Sequence, residues 1–598
     1  MRVVLAATHQ MSVGHRVPLH RCLGVLALAA ALECRGIDCS VLDLVEHGKL
    51  VEHDLESALE RIVDIFVSSK PDVLGFSTMS NNLAIAIEVS RRVKERLPDT
   101  HIIMGGPGVS FCAVETLEAF NHLDSIIRGE ADVAFPDFIE SLRVDDKVPI
   151  IPGLVIRGGN QIIDNGWPEP IRDLDSLPVP LYEKSQLEPH DEENAVHLEV
   201  GRGCPYNCIF CSTSNYFKRK FRVKSVDRVL EEMTLIQNHL PRSHISFSHD
   251  LFTFSRDYVE RICEALGQHE PRASWGCSGR LDTVDAVLLR TMRDAGCFGI
   301  FLGIEVGTER MQKIIRKRLD LSRLIETVGA IVELDLRCTL SFIIGLPDER
   351  EEDIEALFSW IFKSKAHDLN KVRIQIHLLT PEPGSRLFEE FKDLLVYDEY
   401  GSPGSSDIPA NWTNLRSFMQ EHPLIFPAYF YIPAKSISRK QALTFVFIGE
   451  MIQAAMTCSL NVAFSHLGDK LPKQLVASVS RLEPPTAESV RADRVSFMES
   501  IREIILELFE EEEHAGRMYD AVAQYEIAVN AISKRRTPDH IVELDVWFDP
   551  LQIIERVMGD SDDGTELKER RRTLAVAWDE KDEKVKSTEA PDAFSRLF

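Results

Sequence analysis

Cys204, Cys208 and Cys211 stand at CxxxCxxC spacing in the segment VGRGCPYNCIFCST. Thiolates are soft ligands, and three of them on a short loop bent by Gly203 and Pro205 can wrap one compact metal centre. Two kinds of centre compete for this set. A structural zinc needs a fourth protein ligand, and no His or Cys follows nearby. A [4Fe–4S] cluster held by three thiolates keeps one iron open to a small molecule. The other nine of the twelve cysteines are scattered, which excludes a disulfide framework. Cys277 and Cys338 fall on strand patterns near a barrel interior, where packing is the first role and hydrogen donation a second.

Residues of this kind work only if strands present them together. From residue 2 to about 143, short apolar runs at 2–7, 38–44, 72–78, 101–105 and 125–128 alternate with amphipathic helical stretches. Strands apolar on both faces, in strict turn with helices, predict a doubly wound α/β parallel sheet of Rossmann-like type. Ligands of such sheets bind at the carboxyl ends of the strands. That edge carries Ser77 and Thr78, the turn GGPGVS from Gly105 to Ser110, and RGEAD from Arg128 to Asp132. The glycine turn is not GxGxxG and does not follow the first strand, so a dinucleotide is a poor ligand.

Residues 149–193 are punctuated by proline and predict a linker. Over 194–390 six further strand–helix units predict a partial (β/α)6 barrel, the cysteine loop following its first strand. Residues 391–598 predict a mostly helical domain, with long helices at 440–461 and 493–517, a loop at 400–409, an acidic helix face at 510–513 and one strand at 542–548. Domain boundaries are therefore expected at 1–148, 149–193, 194–390 and 391–598. With 68 Lys+Arg against 94 Asp+Glu, the 598-residue chain carries a net charge of -26, which repels phosphate backbones and argues against nucleic acid. No leader or membrane span is evident, and cysteine usage fits a reducing cytoplasm.

The barrel segment resembles the radical S-adenosylmethionine (SAM) superfamily, whose signature is CxxxCxxC with an aromatic residue before the third Cys, here Phe210. HISFSHDLFTFS is similar to the strand carrying an acid near the SAM methionine group, which matches Asp250. WGCSGRLDTVD matches the strand whose Arg neutralises the SAM carboxylate, here Arg280. AGCFGIFLGIEVGTE resembles the "GIES" strand and places Glu305 at SAM polar groups, with Val306 in place of the usual Ser. FIIGLPDEREEDI resembles the strand lining adenine, with Gly345 allowing close approach. The resemblance implies that Cys204, Cys208 and Cys211 hold a [4Fe–4S] cluster whose open iron binds SAM. It also implies an external electron donor of flavodoxin or ferredoxin type, and cleavage of SAM to a 5′-deoxyadenosyl radical.

Beside such a barrel the first domain resembles the cobalamin-binding domain of the same superfamily. The matching positions are Ser77, Thr78, Gly105, Gly106, Gly108, Ser110, Gly129 and Glu130. Gly108 stands where His is often found, the DxHxxG motif for a lower-axial His is missing, and His101 reads as a strand-end residue. The implied activity is a cobalamin-dependent radical SAM methyltransferase acting on an unactivated carbon of a small-molecule or peptide natural product. A rearrangement, ring contraction or cyclisation without methyl transfer is the alternative, and a non-catalytic sensor a third. A transfer-RNA methylthiotransferase needs a second cluster on well-spaced cysteines that Cys22, Cys34 and Cys39 do not supply.

Overall fold

The computed structural model describes all residues except 8–22, 44–54, 145–148, 183–194, 241–243, 399–412, 485–489, 510–512, 536–540, 547, 549, 559–571, 580–583 and 590–598. The expected loop at 400–409, Cys22 and most of the acidic run at 510–513 lie outside the described residues.

The first sheet has seven strands, lying side by side in the order 39–43, 3–7, 73–77, 101–105, 125–127, 154–158 and 161–164. β1 (Val3–Ala7), β2 (Cys39–Asp43), β3 (Val73–Ser77), β4 (His101–Gly105) and β5 (Ser125–Ile127) are parallel. Alternation sorts their side chains: Val4 and Ala6 pack in one core layer with helices Leu55–Ser69 and Leu83–Arg96, Val3 and Leu5 in another with Leu23–Glu33 and Ala134–Val144. Register aligns the carboxyl ends, with Ala7 opposite Ser77, Ser77 opposite Gly105 and Gly105 opposite Ile127. The segment expected as linker holds two more strands, β6 (Leu154–Gly158), antiparallel to β5, and β7 (Gln161–Asp164), antiparallel to β6. Gly and Pro around this hairpin mask it in sequence, because they mark its turns.

The second sheet is a six-stranded parallel array: β8 (Ala195–Glu199), β11 (His244–Ser248), β12 (Trp275–Gly279), β13 (Cys297–Glu305), β14 (Arg337–Ile344) and β15 (Val372–Leu378), side by side in chain order. Its end strands do not pair, so the barrel is partial. A short antiparallel pair, β9 (Gly201–Arg202) and β10 (Arg222–Val223), frames the cysteine loop. One face is apolar and helix-covered, with Leu198, Phe247, Trp275, Leu302 and Leu340 at 2% exposure or less. Each such burial contributes roughly 1.5–3 kcal/mol. Opposite parity is polar: Glu199, Ser248 and Ser278 follow one another across the sheet, and Ser341 lies beside Gln375. A polar inner face suits a lumen filled by a ligand.

Cys277 and Cys338 belong to the apolar face, buried at 7% and 0%. Packing, the first role expected of them, is what they do, and the second, hydrogen donation from the barrel interior, is overturned: Cys277 pairs in register with Phe247 and Ile300.

Beyond the barrel, β16 (Val396–Tyr397) pairs with β17 (Phe430–Tyr431). Phe426 and Phe430 enter the first domain's core, where Phe426 meets Phe120 edge-on. The predicted helix at 440–461 is broken: Arg439–Glu450 passes through a π turn at Met451–Ala455 into Thr457–Leu467 with a 105° bend. The break sets Gln453, whose Oε1 accepts from Ile374 N at 2.7 Å, on the free edge of β15. The helix predicted at 493–517 is likewise two, Val490–Leu506 and Glu513–Arg535. The strand expected at 542–548 is one of three, β18 (Ile541–Val546), β19 (Arg572–Asp579) and β20 (Lys584–Glu589), all antiparallel. No single helix among the described residues is long and apolar enough to cross a membrane, and the bent pair is largely buried in the core.

Candidate active site between two strand-end edges

Cys204, Cys208 and Cys211 lie half-buried on the loop after β9. Burial pushes all three thiols up, Cys204 to about 11, and the like charges of Cys211 and Cys208 act in the same direction. Lys317 and Arg280 oppose this at Cys208. Three interacting thiols with two cations fit a centre that binds thiolates and releases their protons on loading. Among the described residues no three of His, Cys, Asp or Glu converge as ligands of a single ion. A cluster that brings its own bridging sulfides has no need of that convergence. Phe210 and Ile209 seat the loop on a small apolar cluster with Val306, Leu346 and Leu387.

The candidate SAM residues surround this loop, each already held by a neighbour. Asp250, raised by burial, accepts from Gly203 N at 2.7 Å and so pins the residue before Cys204. Arg280 is buried, bonded to Asp282 at 2.9 Å and to Lys317 O at 2.8 Å, and its guanidinium lies 3.7 Å from the Tyr206 ring centre. Glu305 pairs with Lys317 at 2.6 Å. Its backbone is left-handed (φ 69°), as are Arg316 (59°) and Arg318 (58°) on either side of Lys317. Non-glycine residues pay roughly 1–2 kcal/mol each for that conformation, so the pair is held under strain that the packed surroundings sustain. A β-carbon on Gly303 would sit 2.3 Å from Glu305 Oε1 and 2.7 Å from Lys317 Nζ, so any side chain there displaces the ion pair. Gly345 (φ 95°) donates its N–H to Glu349 at 2.7 Å, and burial lifts that carboxyl to about 8.

At the first domain's edge the eight candidate cobalamin residues divide. Thr78 Oγ1 donates to Gly105 O at 2.9 Å, and Ser110 Oγ donates to Gly106 O at 2.8 Å while accepting from Gly129 N at 3.1 Å. Gly106 and Gly108 are sterically compelled: β-carbons there would lie 2.5 Å from Thr78 O and 2.6 Å from Met79 C. The His often found at position 108 therefore has no room. Gly105 is different, meeting only Ile127 O at 3.4 Å, and Ser77 ends β3 beside it. Met79, 53% exposed, stands on the same edge. Glu130 is committed elsewhere, accepting from Arg202, Arg222 and Ile171 N at 2.8–2.9 Å. His101, hydrogen-bonded to Ser125 at 2.8 Å, sits at the amino end of β4, away from this edge.

Sequence reasoning missed what joins the two edges. Arg202, two residues before Cys204, makes a bidentate pair with Asp132 at 2.8 and 2.9 Å and also holds Glu130 and Glu199. Tyr216, just past the cysteines, donates to Gly129 O at 2.7 Å, and Ser80 bonds Glu382 after β15. Phe111, Trp167 and Tyr216 form an aromatic wall across the junction. Isolated charges have no spacing signature, and nothing in the sequence ties Arg202 to acids some seventy residues away. A surface depression lined by Arg2, Asp38 and Lys70 lies at the opposite, amino-terminal edge of the first sheet and belongs to neither site.

The descriptions "Radical SAM superfamily" and "B12 binding domain" match residues 198–361 and 13–139. The uncharacterized methyltransferase PH0819 of Pyrococcus horikoshii is 30% identical over 334 residues, 55% of this chain and 71% of that protein. The chain belongs to the radical SAM superfamily. Within that superfamily, the anaerobic magnesium-protoporphyrin IX monomethyl ester cyclase of Cereibacter sphaeroides is 24% identical over 63% of this chain and 60% of its own length. Among solved structures, the radical SAM methyltransferase TsrM from Kitasatospora setae superposes with a TM-score of 0.59 at 13% identity, covering 80% of this chain and 99% of that one, so the two share a fold. This is a radical SAM enzyme with a B12-binding domain, whose cofactors are a [4Fe–4S] cluster, SAM and cobalamin.

Proposed function

We propose that this radical SAM enzyme is a cobalamin-dependent methyltransferase that methylates an unactivated carbon of a small-molecule or peptide natural product. The observation that carries the reading is the opposition of two carboxyl edges, locked by Arg202–Asp132 and Tyr216–Gly129. It brings the edge of Ser77, Gly105 and Gly129 against the loop of Cys204, Cys208 and Cys211. When bound, the cluster and SAM supply a hydrogen-abstracting radical, and cobalamin supplies the methyl group.

The chain's own part is positioning. The three cysteines hold the cluster while Asp250 fixes the backbone ahead of Cys204. Arg280 and Lys317 offset the charge of the thiolates, and the polar inner face around Ser278, Ser341 and Gln375 receives SAM. The first-sheet edge takes the corrinoid at Ser77 and Gly105, with Thr78, Gly106, Gly108, Ser110 and Gly129 shaping the loops beneath it. The aromatic wall and the C-terminal helices exclude water from the junction. The acidic chain disfavours polyanions, and an external one-electron donor completes the cycle.

A second reading, ring formation without methyl transfer, is favoured by the likeness to the cyclase. Anaerobically reconstituted protein given methyl-deuterated SAM and a small-molecule extract of its source separates the two. Deuterated methyl groups in product, with S-adenosylhomocysteine and 5′-deoxyadenosine formed together, support methyl transfer. 5′-Deoxyadenosine with unlabelled product overturns it.

A further inference from the structure

The C-terminal module reaches the mouth of the barrel through Arg439. Arg439 opens the helix Arg439–Glu450, whose first turn is capped by Ser438. Its Nε and Nη2 both donate to Asp398, the first at 3.1 Å, in a pair whose side chains are 7% and 2% exposed. The guanidinium also lies 5.0 Å from the Tyr431 ring centre. The neighbouring segment docks on the turn after Gly345, with Lys435 N donating to Pro347 O at 3.0 Å and Lys435 Nζ paired with Asp348. The fork is thus fixed on two sides, and Nη1 donates to nothing among the described residues. It is not sealed in the core either, since it is absent from the buried atoms that lack partners. It stands 3.8 Å from where a β-carbon on Gly345 would lie.

We infer that Arg439 is a SAM-binding residue, its Nη1 donating to the adenosyl portion of SAM beside Gly345. The inference rests on the SAM site proposed above. Asp398 neutralises the guanidinium, so Nη1 offers a hydrogen bond without net charge, which suits a ribose hydroxyl or ring nitrogen better than a carboxylate or phosphate. Position agrees. Arg280 follows β12 and Gly345 follows β14, two strand spacings or about 10 Å further round the sheet. A ligand whose amino-acid end lies at the cysteine loop extends its nucleoside end to that point.

The test is equilibrium dialysis of SAM, 5′-deoxyadenosine and methionine against the reconstituted full-length protein. R439K keeps a cation for Asp398 but has no second nitrogen to spare. It is expected to bind SAM and 5′-deoxyadenosine about tenfold more weakly, with methionine affinity, iron content and melting temperature unchanged. If R439K does not fold, the double variant R439Q/D398N, which leaves no buried charge, is expected to show the same selective loss. Equal SAM affinity in a folded variant and wild type, or equal loss of methionine, overturns the role of Arg439. Wild-type protein that binds no SAM overturns the underlying site as well.

Discussion

Three left-handed non-glycine residues, Glu305, Arg316 and Arg318, gather around one buried ion pair. The strain has a local purpose: it turns Lys317 inward, where it meets Glu305 and lowers the cost of charge at Cys208. Gly303→Ala puts a methyl group into that pair, and a roughly tenfold weaker SAM affinity is expected, measured by dialysis alongside an unchanged iron content. Cys208→Ala is expected to abolish SAM cleavage, scored as 5′-deoxyadenosine formed, while cobalamin still binds. Glu349 gives a pH signature. Its folded value of about 8 lies above the ordinary carboxylate range, so the folded state holds a proton that the unfolded state gives up, and stability falls as pH rises from about 4.5 to 8. Glu349→Gln should flatten that part of the stability profile, read by denaturant melts across the range. At this scale the sequence was legible wherever spacing carries the chemistry, as at the cysteines. Arg202, Lys317 and Arg439 were not legible, because a single charge owes its role to partners distant in the chain.

At the level of elements, short apolar runs announced the strands: the parallel strands of both sheets lie where those runs place them. The hairpin β6–β7 was hidden by the proline and glycine that form its turns. The break at Met451–Ala455 was hidden by an apolar pattern that continues through it, since Met451, Ile452 and Ala455 remain in the core on either side of the bend. That bend is tightly fitted to β15. A β-carbon on Gly449 would lie 2.2 Å from Ile376 Cδ1. Gly449→Ala is expected to destabilise by about 1–3 kcal/mol, and Ile376→Val in the same chain to recover part of the loss, a coupling that a double-mutant cycle detects.

For the whole molecule, the decisive contacts are those between domains. Arg202 and Arg222 reach Glu130 and Asp132 from either side of the cysteine loop, in side chains no more than 10% exposed. Removing one partner of such a network strands a buried charge at roughly 3–5 kcal/mol. Asp132→Asn is therefore expected to lower the melting temperature and to separate one unfolding transition into two in calorimetry. The network also limits how freely these domains exchange. A chimera that imports a B12-binding domain from a relative inherits a foreign loop after β5, and it has to carry the equivalents of Glu130 and Asp132 matched to the arginines flanking the host's cysteines. Acid and base in this junction act as a lock and key for domain pairing, so recombination within the family succeeds or fails at the four side chains of this buried network.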